Sequence, residues 1–209
     1  MKKIIKYILI LLVIGLVSYE SVYFKKLSDI KDSTSNHFDV AAYSKKLWDE
    51  KLPYVLDSAI ELNRLVALLK ENPSDAFARY SNAMGIGNYR YNFVKVNGVA
   101  AVINEDEIIM QVNPGDPPLT IRLATEYIYG NAIRDASGLV DIKDFTNTSD
   151  LNNISEELNK IIRSTVLPEF KKNVKPGDTL EITGAIQFNK EHIDFKDLEL
   201  IPVRIKILK

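Results

Sequence analysis

The chain has 209 residues, 46% hydrophobic and 26% charged, enough for one globular domain with a real core and a helical extension beside it. Lys and Arg number 27 against 28 Asp and Glu, a net charge of −1; setting aside Lys2, Lys3 and Lys6 leaves 24 against 28, or −4. A mildly acidic body argues against phosphate-backbone binding, so no nucleic acid is expected as a partner, and the absence of cysteine excludes disulfides, thiolate metal sites, a cysteine nucleophile and a cysteine-linked lipid.

MKKIIK is a basic start, and residues 7–19 (YILILLVIGLVSY) are apolar and uncharged. Thirteen residues suit a signal-peptide core, and Ile4 and Ile5 with a snorkelling Lys6 extend it toward a short signal anchor. Residues 1–19 are therefore expected to be a signal peptide or N-terminal signal anchor. The positive-inside rule places the body outside the cytoplasm. Residues 20–37 lose the apolar run and end in DSTSN, the composition of a linker.

Asp39 is placed to cap a helix, with Phe38 and Tyr43 at the spacing of a hydrophobic staple. That helix is expected to break near Pro53 and resume through ELNRLVALLK, where Leu56, Ile60, Leu62, Leu65, Val66 and Leu69 make a broad apolar face. Asn72-Pro73 starts a short helix through Tyr80.

After GIGNY the period changes to two. Tyr89, Tyr91 and Phe93 alternate with Arg90, Asn92 and Val94. Asn97-Gly98 predicts a hairpin turn, with 99–103 running back, a third strand at 108–112, a loop at NPGDPP (113–118) and a strand at 119–129. From Asn153 to about Phe170 the pattern is helical again, with Asn153 and Glu156 at capping-box spacing and Pro168 disrupting the end. KPGD (175–178) is a turn. Two more strands follow, through Leu180–Phe188 positions and through 201–207, with Pro202 confined to an edge or a bulge.

Early antiparallel strands, a helix, then two late strands is the layout of an OB-fold. The expected fold class is α+β, mainly β: an OB-fold-like antiparallel barrel with a helix between early and late strands, preceded by an N-terminal helical extension. The boundaries are a leader (1–19), a linker (20–37), a helical extension packed on the barrel (38–83) and the barrel domain (84–209), with its inserted helix at about 153–170. An open sheet with helices on one face is the competing architecture.

FDVAAYSKKLWDEKLPYVL, GIGNYRYNFVKVNGVA, GNAIRDASG, DFTN, GAIQF and IPVRIKI, in that order over roughly residues 20–208, resemble a bacterial family of predicted periplasmic lipoproteins, a domain of unknown function. The resemblance implies an OB-fold-like barrel and an exported location. Genes of the family often neighbour sugar ABC-transporter genes, which implies an association with carbohydrate uptake. Many members carry a lipobox cysteine after the leader; here Ser18 or a nearby residue stands in that region. No catalytic residue carries over.

The remaining chemistry is sparse. His37 and His192 lack ligand spacing, and Asp141, Asp144 and Asp150 lack the period of a calcium loop, so no metal and no cofactor is expected. Ser137 lies outside a nucleophile elbow, and GIGNYR lacks a phosphate-loop lysine. Tyr89, Tyr91 and Phe93 read either as one wall of a core or as a stacking platform. In GNAIRDASGLVDIKDFTN, Asn131, Arg134, Asp135, Asp144 and Asn147, with Tyr127 as an aromatic neighbour, make a candidate ligand site; the same groups can equally rigidify a connection by capping and pairing. The expected function is an exported, membrane-tethered, non-catalytic accessory that binds a small molecule or an envelope protein, sugar-transporter components included. One alternative is an exported hydrolase using Asp135 and Asp144. The other is an envelope structural or assembly factor docking through the apolar face of 54–70.

Overall fold

The computed structural model describes residues 2–21, 38–85, 87–112 and 119–208; residues 22–37 of the expected linker, Ile86 and the 113–118 loop lie outside the described residues. The chain divides into two units, Met1–Phe38 and Asp39–Lys209. In the first, α1 (Lys2–Ser21) carries the leader, with Ile8, Leu11 and Ile14 exposed. Among the described residues no helix is long and apolar enough to cross a membrane.

The second unit opens with α2 (Val40–Lys46), capped where Asp39 Oδ1 accepts from the Ala42 amide at 2.9 Å. Pro53 does not break the helix. A π-helical turn, Leu47–Lys51, precedes α3 (Leu52–Asp57), and the Leu52 amide reaches back to the Leu47 carbonyl. The same device recurs at Pro168. There α7 (Thr148–Ile161) passes through a π-helical turn, Ile162–Val166, into α8 (Leu167–Asn173), and the Leu167 amide bonds the Ile162 carbonyl. A proline offers no N–H and crowds the carbonyl four residues back; one wider turn just before it relieves both problems, so each helix continues.

Two further expectations change. Residue 60 is not on a helix: β1 (Ile60–Glu61) pairs in parallel with Val94 and Lys95 before α4 (Leu62–Glu71) begins. The inserted helix starts at Thr148 rather than near Asn153. Asn147 is its N-cap, its Oδ1 accepting from the Ser149 and Asp150 amides at 2.6 and 3.2 Å. α5 (Pro73–Tyr80) is capped by Asn72 as the sequence suggests.

The barrel is made by β2 (Tyr89–Ile103), β3 (Glu107–Val112), β4 (Leu119–Ala124), β5 (Thr179–Asn189) and β6 (Leu198–Leu208). β2 pairs with β3, β3 with β4, β4 with β6, β6 with β5, and β5 with β2 again, which closes the ring. Within this ring only β4–β6 is parallel. That connectivity, with the α7–α8 helix between β4 and β5, is the OB arrangement.

Asn97-Gly98 is not a turn. β2 runs straight through it, pairing with β5 over 89–99 and with β3 from Gly98 onward. The chain reverses instead at 104–106, where the Asn104 amide bonds the Glu107 carbonyl at 2.9 Å. The strand expected to reach 129 stops at Ala124, because the Thr125 and Glu126 amides turn to the Asp106 carbonyl. Pro202 lies at a bulge: Thr183 pairs with Arg204 but Gly184 with Pro202.

Val94, Val96, Ile108, Met110, Ile121, Leu123, Ile182, Ile186 and Leu200 fill the barrel, each at most 1% exposed. Leu56, Leu62, Leu65, Val66 and Leu69 are buried in the same core, so the apolar face at 54–70 is not a free docking surface, and the assembly-factor reading loses its motive. Tyr91 and Phe93 are buried while Tyr89 is exposed, which makes this alternation a core wall rather than a stacking platform.

Candidate functional site

Beyond β4 the chain lays one apolar anchor between two exposed rings. Ile128 is fully buried; Tyr127 and Tyr129 on either side are 65% and 61% exposed. Alternation explains this arrangement: a buried residue turns its neighbours outward. The two rings stack, with centroids 6.5 Å apart and planes 27° apart. The Arg163 guanidinium covers Tyr129 at 5.4 Å, donates to the Ile128 carbonyl and pairs with Glu156. The pair is thus held in place while its outer surface faces solvent.

Next comes α6 (Ala132–Ser137), a helix buried at every residue, lying against the outer face of β2 and β5. Gly130 (φ +78°) leads into it, and Gly138 (φ +62°) ends it in the left-handed conformation that glycine adopts without strain. Asn82 Nδ2 donates to the Ala136 carbonyl and Asn159 Nδ2 to the Gly130 carbonyl, each at 2.8 Å, so both ends are fixed.

Three of the expected site residues meet here. Arg134 Nε donates to Asp135 Oδ1 at 2.8 Å, with the two side chains 7% and 4% exposed. Arg134 Nη1 donates to the Leu151 carbonyl at 2.9 Å. Asn131 Nδ2 donates to Asp135 Oδ2 and lies 3.3 Å from the Tyr91 hydroxyl. Burial pushes the Tyr91 phenol above its ordinary range; the Asn131 hydrogen bond opposes this, and the Asp135 charge reinforces it.

The other three stand apart. Asn147 caps α7 at the surface. Asp144 belongs to a 3-10 turn, Ile142–Asp144, and is exposed. It lines none of the described cavities; its charge adds to the effect of burial in raising the Tyr43 phenol. Tyr127 belongs to the aromatic pair. Asp135 and Asp144 therefore do not converge on an open cleft: the hollow of 250 Å³ beside Asp135 is shared with Asp141, whose Oδ1 accepts from the Lys143 amide. Among the described residues no group of three His, Cys, Asp or Glu is placed to hold a metal ion.

Two clefts open on either side of Gly130 and Asn131. The first, a groove of 330 Å³, lies between this segment and the outer face of β5–β6, and is lined by Tyr129, Asn131, Gln187, Asp197 and Glu199. Asp197 and Glu199 share Arg122 with Glu107: Nε is 2.7 Å from Asp197, and Nη1 is 3.3 Å from both glutamates. The Asp197 hydrogen bond is the largest cause raising the Arg122 pKa. The second cleft, of 350 Å³, lies between α6 and α7 and is lined by Arg134, Asn152, Ser155, Glu156 and Asn159 as well as Asn131. Both volumes are at the small end of the ligand-site range.

Sequence reasoning missed Gln187, Asp197, Glu199, Asn152 and Asn159. The one available signal was alternation: Asp197 and Glu199 flank buried Leu198, and Gln187 lies between buried Ile186 and Phe188.

A model of the family described as "Predicted periplasmic lipoprotein (DUF2291)" matches residues 12–206. No curated protein matches the chain. Among solved structures, an OB-fold protein from Thermotoga maritima MSB8 is similar, with a TM-score of 0.70 and 26% identity over 82% of this chain and 99% of its own. That likeness shows the OB-fold.

Proposed function

Since the chain belongs to the predicted periplasmic lipoprotein family, which supports a location in the cell envelope, we propose that it is an exported binding protein whose barrel holds a carbohydrate without transforming it. The observation that carries this reading is the exposed Tyr129 ring, stacked on Tyr127, in the lining of the groove of Asn131, Gln187, Asp197 and Glu199. Sugars present apolar C–H faces and a rim of hydroxyls; a fixed ring takes the first, and amides and carboxylates take the second. The gene neighbourhood associated with the family supports a role beside a sugar transporter.

Calorimetric titration of the full chain in detergent with a panel of neutral oligosaccharides tests the reading. Tyr129→Ala should weaken binding several-fold, about 1 kcal/mol. No binding by any neutral sugar, or binding indifferent to this substitution, would remove the groove from the account.

The family description names a lipoprotein, but these 209 residues hold no cysteine on which a thioether-linked lipid could form. The leader helix takes the role of directing the body across the membrane, its exposed apolar side chains being the surface that a bilayer accepts. Protease added to spheroplasts should digest the body from outside. Protection until lysis would contradict export.

A further inference from the structure

We propose that the cleft between α6 and α7 is a second, separate site, one that binds a small monocarboxylate, with Arg134 Nη2 as its recognition donor. The inference does not rest on the carbohydrate groove. Arg134 is 93% buried by its 7% exposure, yet only two of its three nitrogens are engaged: Nε with Asp135 and Nη1 with the Leu151 carbonyl. Nη2 has no partner among the described residues. It is also absent from the buried atoms left without one, which are Ser44 Oγ, Asn92 Oδ1 and Thr125 Oγ1. Nη2 therefore keeps access to the cavity that Arg134 lines. Open to the cleft, Nη2 is a charged donor available to an acceptor there.

The other walls specify what that acceptor is. Among the described residues the one carboxylate that lines the cleft, Glu156, is already engaged by Arg163. Asn159 Nδ2 is committed to the Gly130 carbonyl, and the Ser155 hydroxyl donates to the Leu151 carbonyl at 3.3 Å. Two donor groups remain available, Nη2 and the side-chain amide of Asn152, which is exposed and makes no side-chain hydrogen bond among the described residues. A guanidinium edge beside an amide asks for a planar acceptor pair, which a carboxylate supplies. A dianion is disfavoured, because Glu156 lines the same cleft and the Arg134 charge is already paired with Asp135. The donor is also preorganised: Asn82 and Asn159 fix both ends of α6, so little ordering accompanies binding.

The test titrates the full chain with lactate and with its neutral counterpart lactamide, following the Arg134 guanidinium by ¹⁵N NMR. Lactate should shift the Nη resonance with an affinity at least about tenfold above that of lactamide. Asn152→Ala removes an exposed amide that makes no side-chain hydrogen bond among the described residues and should weaken the lactate response several-fold, with the thermal midpoint unchanged. Equal responses to the two probes, no response at Arg134, or indifference to Asn152→Ala would overturn the proposal. The carbohydrate response is read in the groove and the lactate response at Arg134, so either site can fail alone.

Discussion

Asp135→Ala should destabilise the body by about 3–5 kcal/mol, the cost of leaving one member of a buried ion pair without its partner. The Arg134 and Asp135 side chains are 7% and 4% exposed and 2.8 Å apart, so solvent cannot take over for the lost carboxylate. Arg134 would keep the Leu151 carbonyl, a partner without charge, and Asn131 would lose the acceptor that fixes its amide beside Tyr91. Asp135→Asn retains the shape and one acceptor oxygen, and should lose less. Urea unfolding measures both: the midpoint should fall with the slope unchanged. For a domain of this size the larger loss corresponds to a fall in Tm of roughly 6–20 °C. A loss under about 1 kcal/mol would mean that the pair is screened as a surface ion pair is, and that α6 is not the rigid element described above.

Capping and pairing within 130–147 were legible in the sequence, but not which carboxylate takes Arg134; the structure gives it Asp135. The fold order was readable because alternation and helical period are local signals. What local signals cannot supply is which distant strands become neighbours. Gln187, Asp197 and Glu199 join Asn131 only because β5 and β6 close the ring beside the segment that follows β4. The boundary of α7 failed differently. Asn147 and Asn153 are both good capping residues, and the choice fell to Asn147, which leaves Leu151 inside the helix, where it is buried and its carbonyl receives Arg134. Likewise, the helix breaks expected at Pro53 and Pro168 do not occur, because a π-helical turn before each proline keeps the helix running.

Gly98→Ala should be nearly as damaging, and it separates the local reading of Asn97-Gly98 from the observed one. In a two-residue hairpin the glycine side faces solvent, and an added methyl would matter only through dihedral preference. In the barrel, a Cβ at position 98 would lie 2.4 Å from the Gln111 carbonyl oxygen and 3.1 Å from its carbon. Both are backbone atoms of β3 and cannot swing aside. β2 pairs with β3 and with β5 at this residue, so relief requires one ladder to open. Gly184 repeats the geometry on β5, 2.4 Å from the Ile201 carbonyl oxygen beside the Pro202 bulge. The two glycines are close-approach points that let five strands curl shut. Each alanine should cost about 1–3 kcal/mol or more, and the pair together should prevent folding. Gly85→Ala is the control: it has nothing within 4 Å and should leave the urea midpoint in place. If Gly98→Ala behaved like Gly85→Ala, β2 would have to turn where the dipeptide suggests, and the ring could not close through its two partners.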